Sequence, residues 1–208
     1  MCGIVGYIGH RNALPIVVEA LKRLEYRGYD SSGCALIHDG ELQVYKRAGK
    51  IIELERCLPE PNKCTGNLAI AHTRWATHGE PNEVNAHPHL DCKGEIAIVH
   101  NGIIENYKLL RDKLLELGHT FISETDTEVI VHLIEQFLLS EPTLEDAVRS
   151  AMTKVEGTYG LVVMSLKEPD KLIAVRKGSP LIIGIGENEH FITSDVNAII
   201  IHTKRVIY

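Results

Sequence analysis

MCGIVGYIG, residues 1–9, opens the chain. Residues 3–8 read as a strand. Leu14, Val17, Val18, Leu21 and Leu24 then recur at helical spacing as far as Gly28, which predicts a helix burying one apolar stripe. Working outward, residues 34–38 and 42–46 flank Asp39-Gly40, a dipeptide that tolerates the positive φ angles of a tight hairpin turn. Further strands are expected at 67–72, 96–100, 159–165, 171–176, 181–185 and 190–194, mostly joined by connections too short for a crossover helix. Three more helices are readable. One carries Tyr107, Leu110, Leu114 and Leu117 and stops at Gly118; the next opens with Thr125 and Glu128 at capping-box spacing; the third starts at Thr143. Antiparallel strands in runs, with helices grouped between them, predict helices layered on sheets, the α+β class, instead of a doubly wound parallel sheet.

The 208 residues suit one domain, and no Pro/Ser-rich linker, low-complexity tract or fixed-period repeat divides them. The longest apolar runs, near 181–185 and 198–201, fall far below the ~18 residues of a membrane span. No basic stretch followed by an apolar one marks a secretory signal, so the expected compartment is the cytoplasm. Five cysteines, an odd number without a CxxC pair, fit free thiols in a reducing environment. A formal charge of -6, with 22 Lys and Arg spread along the chain, argues against a nucleic-acid partner, which would demand a concentrated basic face.

Cys2 carries the first chemical signal. Removal of an initiator Met is expected before a small residue, and the mature chain would then begin with cysteine. A thiol of free pKa about 8.5 and an α-amine of about 7.7 to 8.0 can share a proton near neutrality, so one residue holds nucleophile and base. Position two by itself reads more readily as a small buried residue of a first strand, since free cysteines are usually inert core residues. Its company decides: RGYDSSG at 27–33, HTRWATHG at 72–79, NAHPH at 85–89, HNGIIENY at 100–107 and SETDTE at 123–128.

With the opening MCGIVGYIG, these stretches resemble the glutaminase domain of the N-terminal-nucleophile glutamine amidotransferases over essentially the whole chain. The tryptophan-containing HTRWATHG together with NAHPH looks like the branch that aminates fructose 6-phosphate, in bacterial amino-sugar (hexosamine) synthesis. The resemblance implies a four-layer αββα sandwich of antiparallel sheets, no cofactor, and L-glutamine as substrate. It also implies a C-terminal isomerase domain holding the fructose 6-phosphate site, absent from this sequence, and a homodimer at full length. The chain ends within what looks like a strand, so residues 1–208 are expected to be a glutaminase domain lacking its last strands. A glutaminase domain of another amidotransferase, or a glutamine-sensing domain without turnover, remains an alternative.

Hydrolysing a side-chain amide requires a nucleophile, a proton carrier, donors for the oxyanion and a clamp for the amino-acid head group. Asn101-Gly102, after the apolar strand Ile96 to Val99, offers an amide beside a glycine N–H as a donor pair, although Asn-Gly alone reads as an ordinary turn. Arg74, ending the strand that begins near Asn67, suits a bidentate grip on the α-carboxylate. Asp126 could receive the α-amino group while also suiting the helix start. The resemblance assigns Arg74 and Asp126 to these tasks and adds Trp75, Thr77, His78 and Gly102 to the glutamine pocket. It gives supporting places to Arg27 and Gly28, in a loop near the nucleophile, and to His87. A metal held by His87, His89, Asp91 and Cys92 is set aside. Those ligands crowd within six residues without a second distant pair, and Pro88 stiffens the backbone between the histidines.

Overall fold

The computed structural model describes residues 2–75 and 79–208, so Met1 and the expectations for Thr77 and His78 lie outside the described residues. In chain order the elements are β1 (Gly3–Ile8), α1 (Ala13–Lys22), β2 (Ser31–His38), β3 (Glu41–Ala48), α2 (Ile51–Cys57), β4 (Leu68–Arg74), β5 (His89–Leu90), β6 (Ile96–Ile104), α3 (Tyr107–Glu116), α4 (Thr127–Phe137), α5 (Leu144–Met152), β7 (Gly157–Ser165), β8 (Ile173–Lys177), β9 (Ile182–Ile185), β10 (His190–Thr193) and β11 (Val206–Ile207). Seven strands form one sheet in the order β11-β9-β10-β1-β4-β2-β3, and four form a second in the order β5-β6-β7-β8. The ladders within both sheets are antiparallel.

Successive strand residues face opposite sides, and here both sides are covered. On β1, Val5 and Tyr7 meet α1, whereas Ile4 joins a second cluster between the sheets. On β4, Ala69 and Ala71 face α1 while Leu68 and Ile70 face the other sheet. On β6, Ile96 and Ile98 pack under α4, and Ala97 and Val99 return to the inter-sheet layer. Three apolar layers therefore separate helices, sheet, sheet and helices, the αββα sandwich. Burial on both faces explains why these strands read as unbroken apolar runs instead of alternating ones.

Local signals hold at the turns. Asp39 (φ 49°) and Gly40 (φ 80°) both take positive φ, closing the β2–β3 hairpin, and Gly118 (φ 92°) ends α3. At α5 the Thr143 hydroxyl caps Asp146 N–H. At α4 only half a capping box forms: Thr125 Oγ1 accepts from Glu128 N–H at 3.4 Å, but the Glu128 carboxylate takes the N–H groups of Ile122 and Ser123. Strand β6 does not stop at residue 100. It runs through Asn101-Gly102 to Ile104 because β7 pairs with it throughout, from Ile96↔Ser165 to Ile104↔Gly157. Gly102 makes this possible, with φ 135° and no room for a side chain: a Cβ there would fall 2.0 Å from Thr158 O.

Candidate active site

The same alternation that builds the inter-sheet layer also builds a polar end to it. Residues 68, 70, 72 and 74 of β4 share one face, as do 97, 99 and 101 of β6, so His72 and Arg74 continue the row of Leu68 and Ile70, and Asn101 continues that of Ala97 and Val99. Cys2 shares parity with inward-facing Ile4 of the neighbouring strand, whose register sets Ile4 opposite His72. These side chains border a cavity of about 480 Å³, with Arg27, Trp75, His87, Gly102 and Asp126 also in its wall, a size suited to a small metabolite.

Cys2 is held by its neighbours. Gly3 N–H donates to Thr73 Oγ1 at 3.0 Å and Ile4 N–H to Ser194 Oγ at 3.0 Å. A side chain at Gly3 would meet Thr73 Oγ1 at 2.7 Å and Leu24 at 2.8 Å. The Cys2 Sγ accepts the Trp75 N–H at 3.1 Å. Burial pushes the thiol above its ordinary range, the Trp75 N–H and Arg74 opposing it and Asp30 reinforcing it. A thiol so placed needs a base to become a nucleophile.

Asn101 is oriented from behind. Its Oδ1 lies 2.9 Å from His72 Nε2, and its Nδ2 donates to Cys2 O at 3.2 Å. Burial holds His72 down to about pKa 3. The neutral imidazole therefore donates Nε2–H to Oδ1, leaving the Asn101 amide hydrogens for the Cys2 side. His87 stacks on His72, ring centroids 4.1 Å apart, and its Nδ1 accepts the His100 N–H at 3.2 Å. Burial also pushes His87 and His100 below the ordinary imidazole range, so this histidine layer is uncharged.

Arg74, buried, donates Nη1–H to Glu80 O at 3.1 Å and Nη2–H to Gly79 O at 3.2 Å, with Asp30 Oδ1 3.9 Å away. Asp126 stands at the N-terminus of α4, and its Oδ2 accepts the Ile104 N–H at 2.8 Å instead of capping its own helix. That bond ties α4 to the end of β6. Arg27 lies in a 3-10 turn after α1, where its Nη1 bonds Asp195 Oδ2 at 3.0 Å. Gly28 (φ 92°) lies so close to the Trp75 ring that a Cβ would approach it to 2.5 Å. The site thus gathers Cys2, Arg27, Gly28, Arg74, Trp75, His87, Asn101, Gly102 and Asp126. His72, Asp30 and His100 are additions that sequence reasoning did not assign. Each sits inside a quoted motif, but a polar residue within a strand shows its partner only when the register is known.

The sequence profile of the glutamine amidotransferase domain family matches residues 72–200. Among curated proteins, the glutamine–fructose-6-phosphate aminotransferase (isomerizing) of Pyrococcus horikoshii is 53% identical over 208 residues, covering all of this chain and 35% of that protein. That of Clostridium acetobutylicum is 55% identical, covering all of this chain and 34% of that protein. The chain therefore spans about a third of the length of the curated relatives it matches. Among solved structures, a glutamine phosphoribosylpyrophosphate amidotransferase from B. subtilis superposes with a TM-score of 0.83 at 28% identity, over 99% of this chain and 45% of that one.

Proposed function

Since the chain belongs to the glutamine amidotransferase domain family, we propose that it hydrolyses L-glutamine to glutamate and ammonia through a thioester on Cys2. The observation that carries this reading is the convergence on Cys2 of the Trp75 N–H at Sγ and of the Asn101 amide, itself held by His72.

With Met1 removed, the Cys2 α-amine takes the thiol proton and the thiolate attacks the glutamine Cδ. The carbonyl oxygen becomes an oxyanion facing Asn101 Nδ2–H and the Gly102 backbone. The tetrahedral adduct collapses as the α-ammonium returns its proton to the leaving nitrogen, releasing ammonia. Water, deprotonated by the same amine, then cleaves the thioester to glutamate and restores the thiol. Arg74 holds the substrate carboxylate and Asp126 its ammonium, at opposite ends of the head group. Trp75 lines the pocket; Arg27, Gly28 and His87 support it.

In a longer protein this domain would precede an isomerase domain. Its ammonia would there convert fructose 6-phosphate to glucosamine 6-phosphate, in a cytoplasmic homodimer. The likeness to the aminotransferases over the whole chain supports that acceptor. No helix among the described residues is long and apolar enough to cross a membrane.

The test is sustained glutamate release by the processed chain, abolished in Cys2→Ala. Glutamine binding without turnover would instead mark a sensing domain. For the acceptor, the full-length protein should form glucosamine 6-phosphate from glutamine and fructose 6-phosphate; amination of a different acceptor would replace that part of the reading alone.

A further inference from the structure

On the far side of the four-stranded sheet's first hairpin, Cys92 meets partners that the sequence does not place near it. Its Sγ lies 3.6 Å from His119 Nδ1 and 3.5 Å from His132 Nδ1. Glu135 Oε2 lies 3.1 Å from His119 Nδ1 and 3.3 Å from His132 Nδ1. All four atoms fall within 4.8 Å of one another. The structure assigns to Cys92, His119, His132 and Glu135 a zinc-binding site.

Three elements build it. The β5–β6 turn is closed by Asp91 Oδ1, which accepts the N–H groups of Glu95 and Ile96 at 2.7 Å each, and Cys92 sits in that turn. The left-handed Gly118 at the end of α3 turns His119 back, its N–H bonding Leu114 O at 3.0 Å. His132 and Glu135, three apart on α4, share a helix face.

Four of the six donor–donor spacings are close to those around a tetrahedral ion. Metal–ligand bonds of about 2.3 Å to sulfur, 2.0 to 2.1 Å to nitrogen and 2.0 to 2.2 Å to oxygen imply edges of roughly 3.6 Å between sulfur and nitrogen and roughly 3.4 Å between nitrogen and oxygen. The observed pairs are 3.6 and 3.5 Å, and 3.1 and 3.3 Å. The outward nitrogen of His119 is supplied, its Nε2 lying 3.0 Å from Gln136 Oε1. The buried Nε2 of His132 has no hydrogen-bond partner among the described residues, Glu128 Oε1 lying 3.7 Å away. A proton on His119 Nε2 directed at Gln136 Oε1 leaves that ring's Nδ1 lone pair facing Sγ and Oε2, the arrangement of a metal-bound histidine. Both rings are buried and the Glu135 side chain is 11% exposed, so a cation held there would be shielded from solvent.

A set of one thiolate, two imidazoles and one carboxylate selects zinc over magnesium or calcium. Four protein ligands leave no open position, so the ion is structural: it staples the β5–β6 turn and the α3–α4 connection to α4, whose N-cap is Asp126. Binding releases the Cys92 thiol proton to solvent. The ligands of this site are not crowded into one short segment as His87, His89, Asp91 and Cys92 are. Cys92 recruits a distant pair from α3–α4, while His87 stacks on His72 and His89 Nε2 bonds Thr125 Oγ1 at 3.0 Å.

The test uses the untagged chain, reconstituted with Zn²⁺, dialysed and analysed by elemental mass spectrometry beside Cys92→Ser, Cys2→Ala and Cys57→Ser. We expect about one zinc per chain in the unaltered protein, Cys2→Ala and Cys57→Ser, and loss of it in Cys92→Ser. Replacement by Co²⁺ should give a thiolate-to-cobalt charge-transfer band that Cys92→Ser lacks. Cys92→Ser should retain glutamate release, so loss of zinc is not loss of fold. Zinc no higher in the unaltered chain than in Cys92→Ser, or a cobalt–thiolate band surviving Cys92→Ser, would overturn the assignment.

Discussion

Asn101→Ala removes the side chain whose Nδ2 lies 3.2 Å from Cys2 O and whose Oδ1 lies 2.9 Å from His72 Nε2. Loss of one oxyanion donor lowers kcat by roughly 10²- to 10³-fold, about 2.7 to 4 kcal/mol of transition-state stabilisation. KM should change little, because the oxyanion exists only after attack. The same change strands the His72 Nε2–H in a buried position, which costs about 1 to 3 kcal/mol of stability and should lower Tm. His72→Ala acts differently. It frees the Asn101 amide to rotate and removes one hydrogen bond of net worth about 0.5 to 1.5 kcal/mol, so kcat should fall roughly threefold to tenfold. Because His72 works through Asn101, adding His72→Ala to Asn101→Ala should cost almost nothing further in kcat. The assay is glutamate release at saturating glutamine for the four chains, each held well below its own Tm. A fall of less than threefold for Asn101→Ala would remove it as an oxyanion donor, and equal losses from His72→Ala in both backgrounds would show that His72 does not act through Asn101.

A chain in which Met1 removal is blocked by a fused residue should keep its circular dichroism and Tm while glutamate release falls at least ~100-fold, the loss of a general base; full activity from a verified blocked chain contradicts this. Arg74→Lys should raise KM far more than it lowers kcat, and should also lower Tm because the guanidinium carries the carbonyls of Gly79 and Glu80; an unchanged KM with collapsed kcat would remove Arg74 from head-group binding. Burial depresses His72 to about 3 and holds His87, His89 and His100 below the usual imidazole range. The unfolded chain binds protons that the folded one refuses, so stability should fall as pH drops below about 6.5, by up to about 1.4 kcal/mol per pH unit for each histidine. Denaturant titrations from pH 7.5 to 5 should show that slope reduced by about one such increment in His89→Gln, and an unreduced slope would count against the neutral layer.

Elements whose signals are local were legible in the sequence. Asp39-Gly40 specified its hairpin, Gly118 its helix end and Thr143 its cap, because each acts within a few residues. The α+β class followed from short connections between strands. The end of β6 was not legible: Asn-Gly favours a turn locally, and only pairing with β7 carries the strand through Gly102. Helix α2 escaped for a related reason, since its seven residues bury only Ile51 and Leu54. The site divides along the same line. Motif residues such as Cys2, Arg74 and Asn101 could be singled out by chemical type, whereas His72 owes its place behind Asn101 to the registers of two sheets. Cys92, His119 and His132 are 27 and 13 residues apart in sequence and meet only when α3 and α4 pack beside the β5–β6 turn.

The proposed mechanism requires Cys2, as a free N-terminal residue, to be the nucleophile. Peptide mass spectrometry of the chain after treatment with an electrophilic glutamine analogue, with residual glutaminase activity followed in parallel, tests this. One adduct per chain is expected, on a peptide beginning at Cys2, forming at the rate at which activity disappears. An adduct on Cys34, Cys57, Cys64 or Cys92 that tracks inactivation, or a fully active chain that still carries Met1, would contradict it.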